Sequence, residues 1–299
     1  MSGEHLSEGF EMRLPNIHPW TLLAGAVLIT AHRSPLTAQM PDVERERREY
    51  ARWLASAPTS PLGAVALAPV GRGIEIGGRR SDVPLEGLPL HRITEDRGRL
   101  TLSGPQGNRP LVRGRPVTIG GYTVMASGLP GRTTLAVHRP PTERTKTISW
   151  YPFDPRASFV VSLAPPKAAA TVRVLAVDGT EVEASEAGTV TIAWGGTSTA
   201  LRVRRMPGAT PEESELEVYF RDRTNGKGTY PAGRFVALVP ADAGSYILDF
   251  NRARNPFCAY SSVYPCPAPW RGNSIPAEIE AGERYAGGGL DPGAVSGER

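Results

Sequence analysis

The stretch GTVTIAWGGTSTALRVRRM, residues 188–206, decides the reading of the fold. On one side of Gly195–Gly196, Val190, Ile192 and Trp194 alternate with polar or small residues; on the other, Leu201 and Val203 do the same. A period of two puts alternate side chains on opposite faces of a strand. A Gly-Gly pair supplies the positive φ that a tight hairpin turn requires. The stretch therefore predicts an antiparallel hairpin. Working outward, the same rhythm recurs in ASFVVSLA (157–164), ATVRVLAVDG (170–179), ELEVYFRD (215–222), RFVALVP (234–240) and YILDFN (246–251). Asp178–Gly179 is a second turn signal.

Upstream, GAVAL (63–67), RGIEIG (72–77), RLTLSG (99–104), RPVTIGGYTVMAS (115–127) and TTLAVH (133–138) also read as strands. Nothing alternates strand with helix, which argues against a doubly wound sheet. The expected class is mainly β: two β-rich modules, sandwich- or barrel-like, with one N-terminal helix and a long irregular C-terminal segment. With 33 glycines and 29 prolines among 299 residues, turns are frequent and long helices disfavoured.

The exception is PDVERERREYARWLAS (41–56), where Val43, Tyr50 and Trp53–Leu54 share one helical face. Asp42 is placed to cap it, and its remaining charges read as a solvated face. Ahead of it, WTLLAGAVLITA (20–31) is uncharged and too short to span a bilayer core of ~30 Å. With Arg13 before it and SPLTAQ after it, this reads as a secretory signal cut after Ala38. Met12 is an alternative initiator. If Met40 is the true start, the protein stays in the cytoplasm. The expected organisation is thus a signal peptide (1–38), a helix and linker (39–63), a first β module (64–144), a second (145–285) and a disordered tail (286–299). The polar PTERTKT (141–147) marks the module boundary. Export places the chain in the periplasm or outside the cell, with no transmembrane helix after processing.

Net charge is +4, carried almost wholly by arginine; lysine occurs only at 146, 167 and 227. Basic and acidic residues are interspersed and no aromatic-laced basic patch appears, so nucleic acid is not an expected partner. There is no P-loop, no HExxH, no CxxC pair and no GxGxxG between strand and helix. GTSTA (196–200) lacks the strand–turn–helix setting of a nucleophile elbow. Beyond the leader only His91 and His138 occur, both in the first module, so neither a Ser-His-Asp triad nor a histidine-rich metal site is supported. No metal or other cofactor is expected.

Chemistry concentrates instead in residues 220–285, where Asn, Asp, Arg, Tyr and Cys crowd a proline-rich run. Such a segment must be held by side-chain hydrogen bonds, because its backbone lacks ladder partners. Cys258 and Cys266 are the only cysteines. In an oxidising compartment they are expected to pair, worth about 2.6 kcal/mol on the chain-entropy model. Buried free thiols, or a redox or metal role, are the alternatives.

These residues also carry a resemblance. Phe220, Asp222, Thr224, Gly226, Thr229–Tyr230 and Gly233–Arg234 resemble the F-x-D-x-T-x-G-x-x-T-Y-x-x-G-R pattern of the bacterial Domain of Unknown Function family 1684. The family's next block, D-F-N-x-A-x-N-P-x-C-A-[FY], is matched by Asp249 to Tyr260. Cys266, Pro267, Pro269, Asn273, Ile279 and Ala281–Glu283 complete the likeness, which is dense in the last third and looser from residue 150. The family usually has glutamate before Thr-Tyr, where this chain has Gly228; its Gly-Gly before Gly-Arg is Pro231–Ala232 here, and Trp270 and Gly272 replace a proline and a glutamate. The resemblance implies kinship and no activity. If the absent glutamate is catalytic in relatives, this chain is a binding or inactive version. A fainter likeness, IEIGGRRSDVPL (74–85) to the opening of forkhead-associated domains, implies at most a β-sandwich, since the serine and arginine partners of His91 are missing.

Asp222 and Thr224 suit a turn, or a carboxylate facing a pocket. Asp249, Asn251 and Asn255, flanked by Arg252 and Arg254, suit either pins that fasten the segment or a ligand site on which Tyr230 and Arg234 converge. Tyr260 and Glu283 join these candidates; Glu283 is expected to pair with Arg234 or another arginine, and Glu278 and Glu280 to face solvent. The functional expectations are an exported β-protein binding a small molecule or protein through its C-terminal segment, a hydrolase using Asp222 or Asp249 as acid/base, or a structural subunit of an envelope complex.

Overall fold

The computed structural model describes residues 40–139, 148–207 and 214–285. The expected signal peptide, the boundary stretch 141–147 and the tail 286–299 lie outside the described residues. Helix α1 spans Met40–Ser56 and buries Val43, Tyr50 and Leu54, the face the spacing marks. Asp42 lies inside this helix, where it pairs with Arg45 at 2.9 Å rather than capping it.

The first module has strands β1 (Ala64–Pro69), β2 (Ile74–Ile76), β3 (His91–Asp96), β4 (Arg99–Gly104), β5 (Gly107–Leu111), β6 (Val117–Ile119), β7 (Tyr122–Ser127) and β8 (Thr134–His138). They form two antiparallel sheets, ordered β1-β8-β7-β6 and β2-β3-β4-β5. Ile76, Ile93 and Leu102 from the second share one core with Val124, Leu135 and Val137 from the first, as in a sandwich.

The second module has β9 (Ser158–Ser162), β10 (Thr171–Leu175), β11 (Glu181–Trp194), β12 (Thr197–Pro207), β13 (Ser214–Phe220), β14 (Arg234–Pro240) and β15 (Ser245–Asp249). The sheet order is β10-β11-β12-β13-β14-β15-β9. The β11–β12 hairpin turns at Gly195–Gly196, both at positive φ, as its residues require. Just past β9, Ala164 and Thr189 of β11 exchange hydrogen bonds of 2.8 and 2.9 Å. That contact joins β9 to β11 and closes six strands into a barrel. Val190, Leu201, Val218, Val236, Leu248 and Phe250 fill its interior. A bulge between Glu186 and Gly188 bends β11 toward Ala164. Gly188 has φ of +144°, and a side chain there would overlap the Ala164 carbonyl. The closure therefore depends on glycine.

Outside the barrel, Tyr219 and Phe235 stack at 4.0 Å, beside Met206 and Trp270. The segment after β15 then runs irregularly over the sheet, with only short 3₁₀ turns at Phe250–Arg252 and Phe257–Ala259. Its backbone borrows partners from barrel strands. Phe235 and Arg254 exchange two hydrogen bonds of 2.8 Å, Arg221 donates to Asn273, and Ile275 donates back to Arg221. The buried Asn273 side chain accepts from the Arg202 N–H and donates to the Arg202 and Tyr219 carbonyls. It acts as a rung between β12 and β13 where their own ladder has ended.

Candidate functional site

The sequence candidates separate into three groups. In the first, Asp222 ends β13 and Arg234 begins β14, and both side chains are fully buried. Arg234 donates to Asp222 Oδ2 at 2.7 Å and to the Ala281 and Ile279 carbonyls at 2.5 and 3.0 Å. The other Asp222 oxygen accepts from the Thr224 amide and hydroxyl and from the Ile279 amide. Asn225, absent from the sequence candidates, closes the turn by accepting from the Asp222 amide and donating to the Tyr230 carbonyl. Asp222 is thus an Asx turn and a buried counter-ion together. Arg234 reaches only the carbonyl of Glu283, at 3.5 Å, and pairs with Asp222 instead; of the two expected partners for Glu283 it is the other arginine, Arg254, whose charge acts on its carboxyl.

The second group lies beneath α1. Asp249 accepts from the Asn251 amide and side chain on one oxygen and from Arg252 on the other. Asn251 exchanges two hydrogen bonds with the backbone of Asp154. The Asn255 amide and the Tyr260 hydroxyl donate to opposite oxygens of Glu283, at 2.9 and 2.5 Å. Burial pushes the Glu283 carboxyl up to about 7, against the downward pull of those donors and of Arg254. Burial also raises Asp249, with Arg252 opposing. The helix completes the group. Glu46 takes both Nε and Nη2 of Arg252, Arg47 donates to the Tyr151 and Asn251 carbonyls, and the Tyr50 hydroxyl meets that of Tyr260 at 3.2 Å. Glu46 and Arg47 are therefore interface residues, which corrects the reading of all the helix charges as a solvated face. They flank the apolar stripe, and only tertiary contact reveals that they point inward.

In the third group, the Tyr230 hydroxyl lies 3.3 Å from Cys258 Sγ and 3.2 Å from Cys266 Sγ. Cys258 is buried and Cys266 partly so. Burial raises the Cys258 thiol, which keeps it protonated. Gly228 packs so closely on the Tyr151 hydroxyl that a Cβ there would overlap it, so a glutamate at this position requires Tyr151 to move.

Glu278 and Glu280 are exposed. Glu217 is buried although it is not among the sequence candidates, and His138, read from the sequence only as a lone histidine, is buried too. Glu217 lies opposite Arg204 across the β12–β13 ladder, yet the Arg204 guanidinium goes to Glu186 and over Trp270. Burial, then Glu215 and Asp178, push Glu217 up to about 8. His138 meets the Tyr264 hydroxyl at 3.1 Å beside a cavity of ≈ 20 Å³ at the junction of the modules, room for about one water. Among the described residues no three potential metal ligands gather, and no helix is long and apolar enough to cross a membrane.

A closed antiparallel barrel, with an irregular C-terminal segment fastened to it by buried Asp, Asn and Arg side chains, defines the class of protein. Residues 143–284 match the model of the family described as "Protein of unknown function (DUF1684)", and through this C-terminal part the chain belongs to that family. Among solved structures it is similar to the solution NMR structure of the uncharacterized protein from gene locus rrnAC0354 of Haloarcula marismortui. The two are 31% identical over 47% of this chain and 77% of that one, with a TM-score of 0.40. No curated protein matches the chain.

Proposed function

We propose that this chain is a non-catalytic exported binding protein. In this reading the Phe220–Tyr285 segment is a latch on the barrel, and a protein partner is met along the groove that the segment forms beneath α1. The observation that carries it is the state of the two candidate acid/base groups. Both oxygens of Asp222 and both of Asp249 accept hydrogen bonds from the fold itself, and the side chains are 0% and 1% exposed. A general acid or base must reach a substrate proton, and neither carboxylate faces open space. The cavity at the junction has room for about one water and is lined by none of the candidate residues, which favours a protein partner over a small molecule enclosed there. The test is turnover of chromogenic ester, phosphate and glycoside panels by wild type and Asp249→Asn. The expected result is no turnover by either. Turnover by wild type that is lost in an Asp249→Asn protein of unchanged melting temperature would overturn the reading.

Export and a Cys258–Cys266 disulfide belong to the same proposal. One hydroxyl touches both sulfurs, so the two thiols lie near each other. On exchange with an external disulfide, each thiol gives up its proton and one electron, and the acceptor leaves as two thiols. Intact-mass measurement of the exported chain should show an N-terminus at Gln39 and a mass about 2 Da below that of the reduced form. A full-length leader, or two freely alkylated thiols in native exported protein, would contradict it.

A further inference from the structure

The groove under α1 holds more recognition chemistry than seating a helix by its apolar stripe requires. Glu46 grips the Arg252 guanidinium at 2.9 and 3.2 Å. Arg47 caps two backbone carbonyls and lies 4.9 Å over the Trp150 ring. The Tyr50 ring receives the Arg254 guanidinium at 4.0 Å, and Trp53 packs on Phe257 at 5.9 Å. Positions 46, 47, 50 and 53 line one side of a helix, the anchor spacing of helix-in-groove recognition.

Two further observations bear on whether this seat can be vacated. The groove residues Trp150, Asn251–Arg254, Phe257 and Glu283 all lie within the family segment 143–284, whereas α1 lies outside it. The contact is also costly in part: Arg47 Nε is buried without a hydrogen-bond partner. Undocking the helix would return it to water, which offsets part of the cost of undocking.

Resting on the partner-binding reading above, we propose that α1 is an exchangeable occupant of this groove, and that the groove of one molecule takes the same helix from a second copy of the chain. What it recognises is an amphipathic helix with an acidic residue, a basic residue next to it, and aromatic residues four and seven positions after the acidic one. Exchange in trans has to compete with the tethered helix, whose effective concentration is on the order of millimolar.

The pH dependence has a definite sign. Glu283 faces Tyr50, Arg254 and Tyr260; Asp249 faces Glu46, Arg47 and Arg252. Burial raises the pKa of both carboxyls, Glu283 to about 7. The docked state therefore holds protons more tightly than the open state. Its advantage is full below the ordinary carboxylate range and declines as pH rises through about 7. Docking is tighter at mildly acidic pH, and release is favoured as pH rises.

The probe is a fluorescent peptide of residues 40–56, titrated into the wild-type chain and into the Glu46→Ala/Tyr50→Ala double variant, whose own helix competes poorly. The double variant should bind the peptide roughly tenfold or more tightly than wild type does, and more tightly at about pH 5 than at about pH 8. Equal binding to both proteins, or none to a double variant that keeps its β-sheet circular dichroism and cooperative melting, would overturn the proposal. If the double variant does not fold, amide exchange in the wild type decides. The α1 amides should open well before those of β12 and β13, and exchange of α1 only on global unfolding would overturn the proposal. Asp249-dependent turnover would sink the non-catalytic reading yet leave this exchange intact, so the two failures are distinguishable.

Discussion

Arg234→Met should destabilise the protein by about 3–5 kcal/mol, the usual cost of stranding one member of a buried ion pair. Arg234 is fully buried and gives its guanidinium to Asp222 and to two carbonyls of the C-terminal segment. Removing it leaves a carboxylate stranded in the core and two carbonyls short of a donor. For a domain of this size the loss corresponds to roughly 6–20 °C in melting temperature. Arg234→Lys restores the charge but not the planar fork, so it should recover only part. The double variant Asp222→Leu/Arg234→Met should be more stable than Arg234→Met alone, because it leaves no charge stranded. Differential scanning calorimetry on the set of variants gives these values directly. A drop of under ~1 kcal/mol for Arg234→Met would place the pair among exposed ones and remove the latch's main fastening.

Gly188→Ala is the second large effect, with an expected cost of about 3 kcal/mol from backbone strain and broken closure hydrogen bonds. Gly188 holds φ at +144°, and its would-be Cβ overlaps the backbone oxygen of Ala164, which cannot rotate away. That oxygen accepts from Thr189, and the Ala164 amide donates back. The substitution should therefore unseat β9 from β11 and open the barrel seam. Gly196→Ala is the control, since Gly196 also has positive φ, at +76°, but has open space where its Cβ would stand. It should cost only about 1 kcal/mol. Amide exchange at Thr189 and Ala164 should accelerate in Gly188→Ala and stay unchanged in Gly196→Ala. Equal melting temperatures for the two variants would mean that positive φ alone, and not barrel closure, sets the requirement for glycine at position 188.

The sheets were legible because each strand's burden is local. In β11, β12 and β13 one face meets the barrel core, so Val190, Ile192, Leu201, Val203 and Val218 betray themselves by alternation. Two strands hid for local reasons. β5 reads GNRPL, with a proline and only one buried side chain, and β3 reads HRITED, whose inward content is essentially Ile93. The seam was illegible because it is a single pair of residues far apart in sequence, marked only by a glycine within an otherwise ordinary strand. The site was half legible. Side-chain fastening of residues 220–285 follows from a backbone that has to find partners somewhere, and Asp222, Arg234, Asp249, Asn251 and Glu283 all take part. Which acid meets which arginine does not follow: Arg234 goes to Asp222 because both stand at the facing ends of β13 and β14. Glu46 and Arg47 stayed hidden because a charged residue on a helix declares its partner only in three dimensions.

The central claim is that residues 250–285 are fastened to the barrel and share its stability. Native-state amide hydrogen exchange on the full chain tests it most directly. The Arg221, Arg254, Ile275 and Glu283 amides all have acceptors at 2.8 or 2.9 Å across the latch. They should exchange only on global unfolding, with the same opening free energy as Val218 and Val236 inside the barrel sheet. Fast exchange at those four positions, while Val218 and Val236 remain protected, would show a segment that lies on the barrel without being fastened to it, and would contradict the account.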